Sequence, residues 1–169
     1  MFSDLLPRRA LAGRIAALIS ALGFSAATSP AEPSPSKQDK GAVKKLNIDG
    51  QPADPNSFIT PLIVYNGVIY IAGVGAHSHD KTEFPMDIEN HTKHVMESVK
   101  RLVETGGGGM DSILQLTVFL AKIDDYDGMN KVFKTYFPHG GPARTTVAVA
   151  ALPGNSLVEI NCTAAVTSK

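Results

Sequence analysis

The spacing of apolar residues switches between strand and helix periods along this chain, and the switches lay out its elements. Val43 to Ile48 is a short apolar stretch that ends at Asp49-Gly50, a turn signal. Residues 52–61 are loop-like, with Asp54-Pro55 inside them. Leu62-Ile63-Val64-Tyr65 and Val68-Ile69-Tyr70-Ile71-Ala72-Gly73 are β-rich runs joined by Asn66-Gly67, which predicts a hairpin with a tight turn. From Asp87 to about Thr105 the period becomes helical. Ile88, Thr92, Val95, Val99, Leu102 and Val103 make one apolar face, and the run Gly106 to Gly109 stops it. Ile113 to Leu120 reads as a buried strand. Asp124 and Asp125 open a second helix whose Met129, Val132, Phe133 and Tyr136 face inward, and Pro138 ends it. Two strands, Thr145–Leu152 and Leu157–Val166, close the chain around Pro153-Gly154-Asn155.

The order β-β-β-α-β-α-β-β predicts an α+β domain, a mixed sheet with both helices packed on one face. Val147, Val149 and Ala151 alternate with Thr146, Ala148 and Ala150, so neither side of that strand is properly polar. A second apolar sheet face needs cover, which a copy of the same chain would supply.

Length and composition narrow the class. The chain has 169 residues, 43 % hydrophobic and 19 % charged, with a formal net charge of zero. That is enough for one domain with its own core, and it offers no basic field to recruit nucleic acid. The start differs from the rest. Arg8, Arg9 and Arg14 precede an uncharged run from Ile15 to Ala27, followed by Ser25-Ala26-Ala27 and Ser29-Pro30-Ala31, small-residue sites suited to cleavage. Residues 1–31 therefore read as a secretory signal peptide, 32–42 as a disordered linker and 43–169 as the folded domain. The expectation is an exported, periplasmic protein without stable membrane association after processing. A basic organellar transit peptide, an uncleaved membrane tether and a cytoplasmic protein are the alternatives.

Candidate chemistry is concentrated near the C-terminus. Arg144 heads one closing strand, and Glu159 sits between Val158 and Ile160 on the other. A charge inside an apolar run is expensive to desolvate unless it is paired or used. An Arg presents a planar fork to a carboxylate, and a Glu can move a proton. If the closing strands form a hairpin about Gly154, Glu159 pairs with Val149 and Arg144 with Ala164. The two would then stand about 16 Å apart at roughly 3.3 Å per residue. That separation favours a site completed at a subunit boundary. Cys162, the only cysteine, shares parity with Val158, Ile160 and Ala164 and reads as a small core residue. His77, His79, His91 and His94 read as solvated histidines, and the glycine run lacks the Lys-Ser/Thr ending of a phosphate loop.

The blocks Tyr70-Ile71-Ala72-Gly73, Thr117-Val118-Phe119-Leu120, Met129-Asn130, Tyr136-Phe137-Pro138, Pro142-Ala143-Arg144-Thr145-Thr146-Val147, Ala151-Leu152-Pro153 and Leu157-Val158-Glu159-Ile160 stand in an order that resembles the RidA (YjgF) family of reactive-intermediate deaminases. The resemblance covers residues from about 57 to 166. It implies a chorismate-mutase-like fold, a homotrimer with clefts between subunits, and hydrolysis of 2-enamine or 2-imine acids to 2-keto acids and ammonia with no cofactor and no metal. It also implies that Arg144 holds the substrate carboxylate, that Glu159 positions or activates water, and that Gly73, Asn130 and Thr146 line the pocket. The family's aromatic segment before the first hairpin corresponds to Ser57-Phe58-Ile59-Thr60-Pro61, with Phe58 one residue out of register, and Val74 stands where Gln is common. A non-catalytic carboxylate-binding or regulatory trimer of the same fold is the second reading. Ribonuclease activity, attributed to some relatives, fits poorly with zero net charge and no catalytic His pair.

Overall fold

Asn66 and Gly67 turn the chain because both adopt positive φ, 49° and 75°, the backbone a two-residue hairpin demands. The turn joins β2 (Leu62–Tyr65) to β3 (Val68–Gly75), with β1 (Lys44–Leu46) antiparallel to β2 at the sheet edge. The structure is a computed structural model that describes residues 41–76 and 86–167. The leader, most of the linker, and His77 and His79 lie outside the described residues.

Helix α1 (Ile88–Thr105) begins where the Asp87 carboxylate accepts the Asn90 N–H at 2.9 Å, an N-cap bond. That bond holds the Asp87 carboxyl below its usual range. The glycine run ends the helix as expected. Next come β4 (Ile113–Leu120), α2 (Tyr126–Tyr136), β5 (Ala143–Ala148) and β6 (Val158–Ala165). Asp124 and Asp125 sit in a single 3-10 turn ahead of α2 rather than in its first turn. The helices are tied by Lys131 Nζ to Glu89 at 2.8 Å and by the Tyr136 hydroxyl, which donates to Glu97 Oε1 at 2.7 Å.

The six strands run β1-β2-β3-β6-β4-β5. All neighbours are antiparallel except β4 and β5, which are parallel and joined through α2. The expected closing hairpin is therefore wrong: Arg144 pairs with Leu116, not Ala164, and Glu159 pairs with Phe119 and Gly75, not Val149. Strand β4 lies between the two. The chain passes around its end, where Val149 N–H donates to Leu120 O at 2.9 Å and Ala121 N–H to Leu157 O at 3.0 Å. Both closing strands are also shorter than expected.

One sheet face carries Leu62, Ile69, Ile71, Leu116, Val118, Leu120, Val158, Ile160, Cys162 and Ala164. They pack on Val95, Met96, Val99, Leu102 and Val103 of α1 and on Met129 and Phe133 of α2. Each large apolar side chain buried there contributes about 1.5–3 kcal/mol relative to exposure. Cys162 is buried in this layer as parity predicted. The uncovered face is mixed rather than apolar, since Tyr70, Phe119 and Val147 stand among Gln115, Thr117, Glu159, Asn161 and Thr163. Among the described residues no helix is long and apolar enough to cross a membrane.

Candidate functional site

Strand β6 alternates buried and half-buried residues along its whole length, which sends Val158 and Ile160 into the core and Glu159 to the uncovered face. Opposite it, β3 carries a bulge. Ile71 pairs with Cys162 and Val74 with Ile160, so Ala72 and Gly73 together face Asn161. The bulge brings Gly73 against the Glu159 side chain. A Cβ at Gly73 would lie 3.1 Å from Glu159 Cδ and closer still to Oε1, so the carboxylate lies over a spot that only glycine leaves open. Val74 points to the other side and packs on the core.

The start of β6 is fastened from two directions. The Ser156 hydroxyl accepts Ala76 N–H at 2.8 Å and donates to Val158 O at 2.6 Å. Leu157 N–H donates to His91 Nδ1 at 3.1 Å, which requires Nδ1 to be unprotonated and leaves the ring proton on Nε2. His91 is 1 % exposed. It is thus a core histidine holding the backbone two residues before Glu159, and not the solvated residue expected.

Arg144 stands on the other side of the sheet. Residues paired across a ladder point the same way, and its partner Leu116 faces the helices. The guanidinium lies 4.6 Å from the Phe133 ring centroid and 5.8 Å from that of Tyr126. Nη2 donates to the Tyr126 hydroxyl at 3.3 Å, and Nη1 approaches Met129 Sδ at 4.0 Å. The two rings lie within cation–π reach of the guanidinium, and its five N–H donors exceed what the Tyr126 and Met129 contacts use. Thr146, paired with Val118, shares this side. Its Oγ1 is buried and has no hydrogen-bond partner among the described residues, an uncommon state for a hydroxyl. Asn130 is half-buried on α2 beside Met129.

The residues singled out in the sequence thus form two groups, Gly73 with Glu159 and Arg144 with Thr146, on opposite faces of one sheet. Phe58 joins neither within the chain, being 97 % exposed on the loop between β1 and β2. Sequence reasoning missed Tyr126, although its place three residues before Met129 and seven before Phe133 put it at the head of their helical stripe. Concavities of about 470 Å³ beside Lys44 and Asn66, and about 270 Å³ beside Tyr70, Gln115 and Asn161, include neither Arg144 nor Glu159. Among the described residues no group of three His, Cys, Asp or Glu could hold a metal.

Residues 51–166 match the family described as endoribonuclease L-PSP. Reactive Intermediate Deaminase A, chloroplastic, of Arabidopsis thaliana is 31 % identical over 100 residues, 59 % of this chain and 54 % of the relative. The match thus spans about half the length of that protein. A solved yeast structure is 26 % identical with a TM-score of 0.66, covering 73 % of this chain and 98 % of its own. A protein of the conserved Rid family from Yersinia pestis, of unknown function, is 29 % identical with a TM-score of 0.63, covering 74 % and 100 %.

Proposed function

We propose that this chain, which belongs to the RidA (YjgF) family described as endoribonuclease L-PSP, hydrolyses reactive 2-imine and 2-enamine acids to 2-keto acids and ammonia. The deaminase name of the Arabidopsis relative supports that reaction class. The observation that carries the site is the split of Arg144 and Glu159 between the two faces of one sheet. Neither face alone offers both a carboxylate anchor and a base, so one protomer holds two half-sites. A homotrimer in which Arg144 and Thr146 of one copy meet Glu159 and Gly73 of the next joins them three times over.

In such a site Arg144 receives the substrate carboxylate on the open edge of its fork, and the Thr146 hydroxyl supplies a further donor. Glu159 takes a proton from water as the oxygen attacks the carbon of the protonated imine, giving a carbinolamine. The same carboxyl returns that proton to nitrogen, then takes the hydroxyl proton as the C–N bond breaks, so the carbonyl forms and ammonia leaves, carrying off the excess proton as ammonium. An enamine is first protonated at carbon to give the imine. Imines of this kind hydrolyse unaided, so fixing substrate and water in register is the protein's main contribution. In such a trimer Phe58, exposed in the single chain, would cover a neighbour's site. Val74 faces the core and does not reshape the Glu159 side. The chloroplastic location of the Arabidopsis relative supports organelle targeting of the basic leader over export to a periplasm.

The test is imine trapping. An amino-acid oxidase generates 2-imino acid in the presence of semicarbazide, and the purified protein is added. Loss of trapped imine with wild type, but not with Arg144→Ala or Glu159→Ala, is the expected result. Unchanged trapping across several amino acids refutes the hydrolase. Retained binding of 2-keto acids in that case leaves a carboxylate-binding trimer.

A further inference from the structure

We propose that Tyr126 is a further ligand of the substrate carboxylate, acting through its hydroxyl beside Arg144; this deepens the deaminase reading and rests on it. The Tyr126 oxygen accepts from Arg144 Nη2 at 3.3 Å, so its lone pair is engaged and its own O–H proton points elsewhere. No acceptor among the described residues takes that proton. A phenol that accepts from a guanidinium becomes a better donor, because the cation polarises the O–H bond. A carboxylate held by the Arg144 fork would lie within reach of the same hydroxyl, which adds one more donor to the anchor made by Arg144 and Thr146.

The surroundings fit this assignment. Tyr126 is 40 % exposed, so the hydroxyl is open to a ligand while the ring stays against the guanidinium. The Phe133 ring lies 4.6 Å from the guanidinium carbon of Arg144, and Met129 Sδ lies 4.0 Å from its Nη1. Contact with the Phe133 ring restrains the guanidinium beside the Tyr126 hydroxyl. Tyr126 is also the first residue of α2, fixed by the helix rather than by a loop.

The experiment compares wild type, Tyr126→Phe and Lys131→Ala, the last a surface control on the same helix. Imine-trapping kinetics and calorimetric binding of 2-oxobutanoate are measured for each. Phe keeps the ring and its stacking and deletes only the hydroxyl. The assignment predicts a roughly 10-fold rise in KM and in the 2-oxobutanoate Kd, with kcat within a factor of about two, and no change for Lys131→Ala. A purely structural tyrosine would lower the melting temperature and leave KM alone. Unchanged KM and Kd in Tyr126→Phe overturn the assignment while the deaminase reading stands on wild-type turnover. If wild type binds the keto acid without turnover, a weaker Kd in Tyr126→Phe still upholds Tyr126 and only the deaminase reading fails. Wild type that neither turns over imine nor binds the keto acid overturns both.

Discussion

Gly73→Ala isolates the position of Glu159 from its identity. Gly73 is not among the glycines with positive φ, so alanine accepts its backbone. The added methyl would lie 3.1 Å from Glu159 Cδ, against 3.4–4 Å for ordinary contact, and nearer to Oε1. The carboxylate must withdraw by about 1 Å before its oxygen reaches normal separation. The end of a flexible side chain moves cheaply, so the fold should lose less than about 1 kcal/mol. Catalysis is less forgiving, since a misplacement near 1 Å can slow a positioned reaction about 100-fold. The expected outcome is a kcat near that of Glu159→Ala with a melting temperature close to wild type. Adding Gly73→Ala to Glu159→Ala should cause little further loss, because both act through one group. Wild-type kcat in Gly73→Ala, or two losses that multiply in the double variant, would show that the carboxylate over Gly73 is not the working base.

Arg144→Lys should raise KM at least about 10-fold, since an ammonium neither stacks as a plane nor offers a fork; unchanged KM refutes the carboxylate anchor. His91→Leu leaves the Leu157 N–H without its acceptor and should destabilise by about 2 kcal/mol in urea melts. Gly108→Ala places a methyl 2.9 Å from the Ala165 carbonyl oxygen, a backbone atom with little freedom, and should also lose about 2 kcal/mol. Burial pushes the Cys162 thiol from 9.0 up to about 12. The native protein should therefore ignore Ellman's reagent at pH 8 and react once unfolded. Because the unfolded thiol ionises first, this stabilisation is complete below pH 9 and declines as pH rises from 9 towards 12.

What the sequence disclosed was largely local. Asn66-Gly67 announced its turn because two adjacent residues carry the φ values it needs, and the glycine run stopped α1 on the spot. The parity of Cys162 with Ile160 and Ala164 followed from the strand period alone. Partner choice is not local. Strands β5 and β6 follow one another across a turn signal, which favoured a hairpin, yet α2 brings β5 back parallel to β4 and wedges β4 between them. That single exchange made the hairpin distance meaningless, although Arg144 and Glu159 fall on opposite faces in either pairing, since Ala164 and Leu116 both face the core. His91 carried a readable cue, three residues after Ile88 and four before Val95, which its polar side chain obscured. Tyr126 escaped notice because its role depends on Arg144, eighteen positions away and on another element. Glu159 itself was legible because it interrupts an apolar run, and Arg144 because it heads a strand after Pro142-Ala143.

The account stands or falls on whether Arg144 and Glu159 act from different copies. Arg144→Ala and Glu159→Ala chains, each inactive alone, would be co-expressed in equal amounts with separate tags and the mixed oligomers purified. Sites shared between copies should restore about a third of wild-type imine hydrolysis, since every mixed trimer unites an intact Arg144 with an intact Glu159 at one of its three boundaries. No recovery in verified mixed oligomers would place both residues in one chain's site and contradict the split-face arrangement.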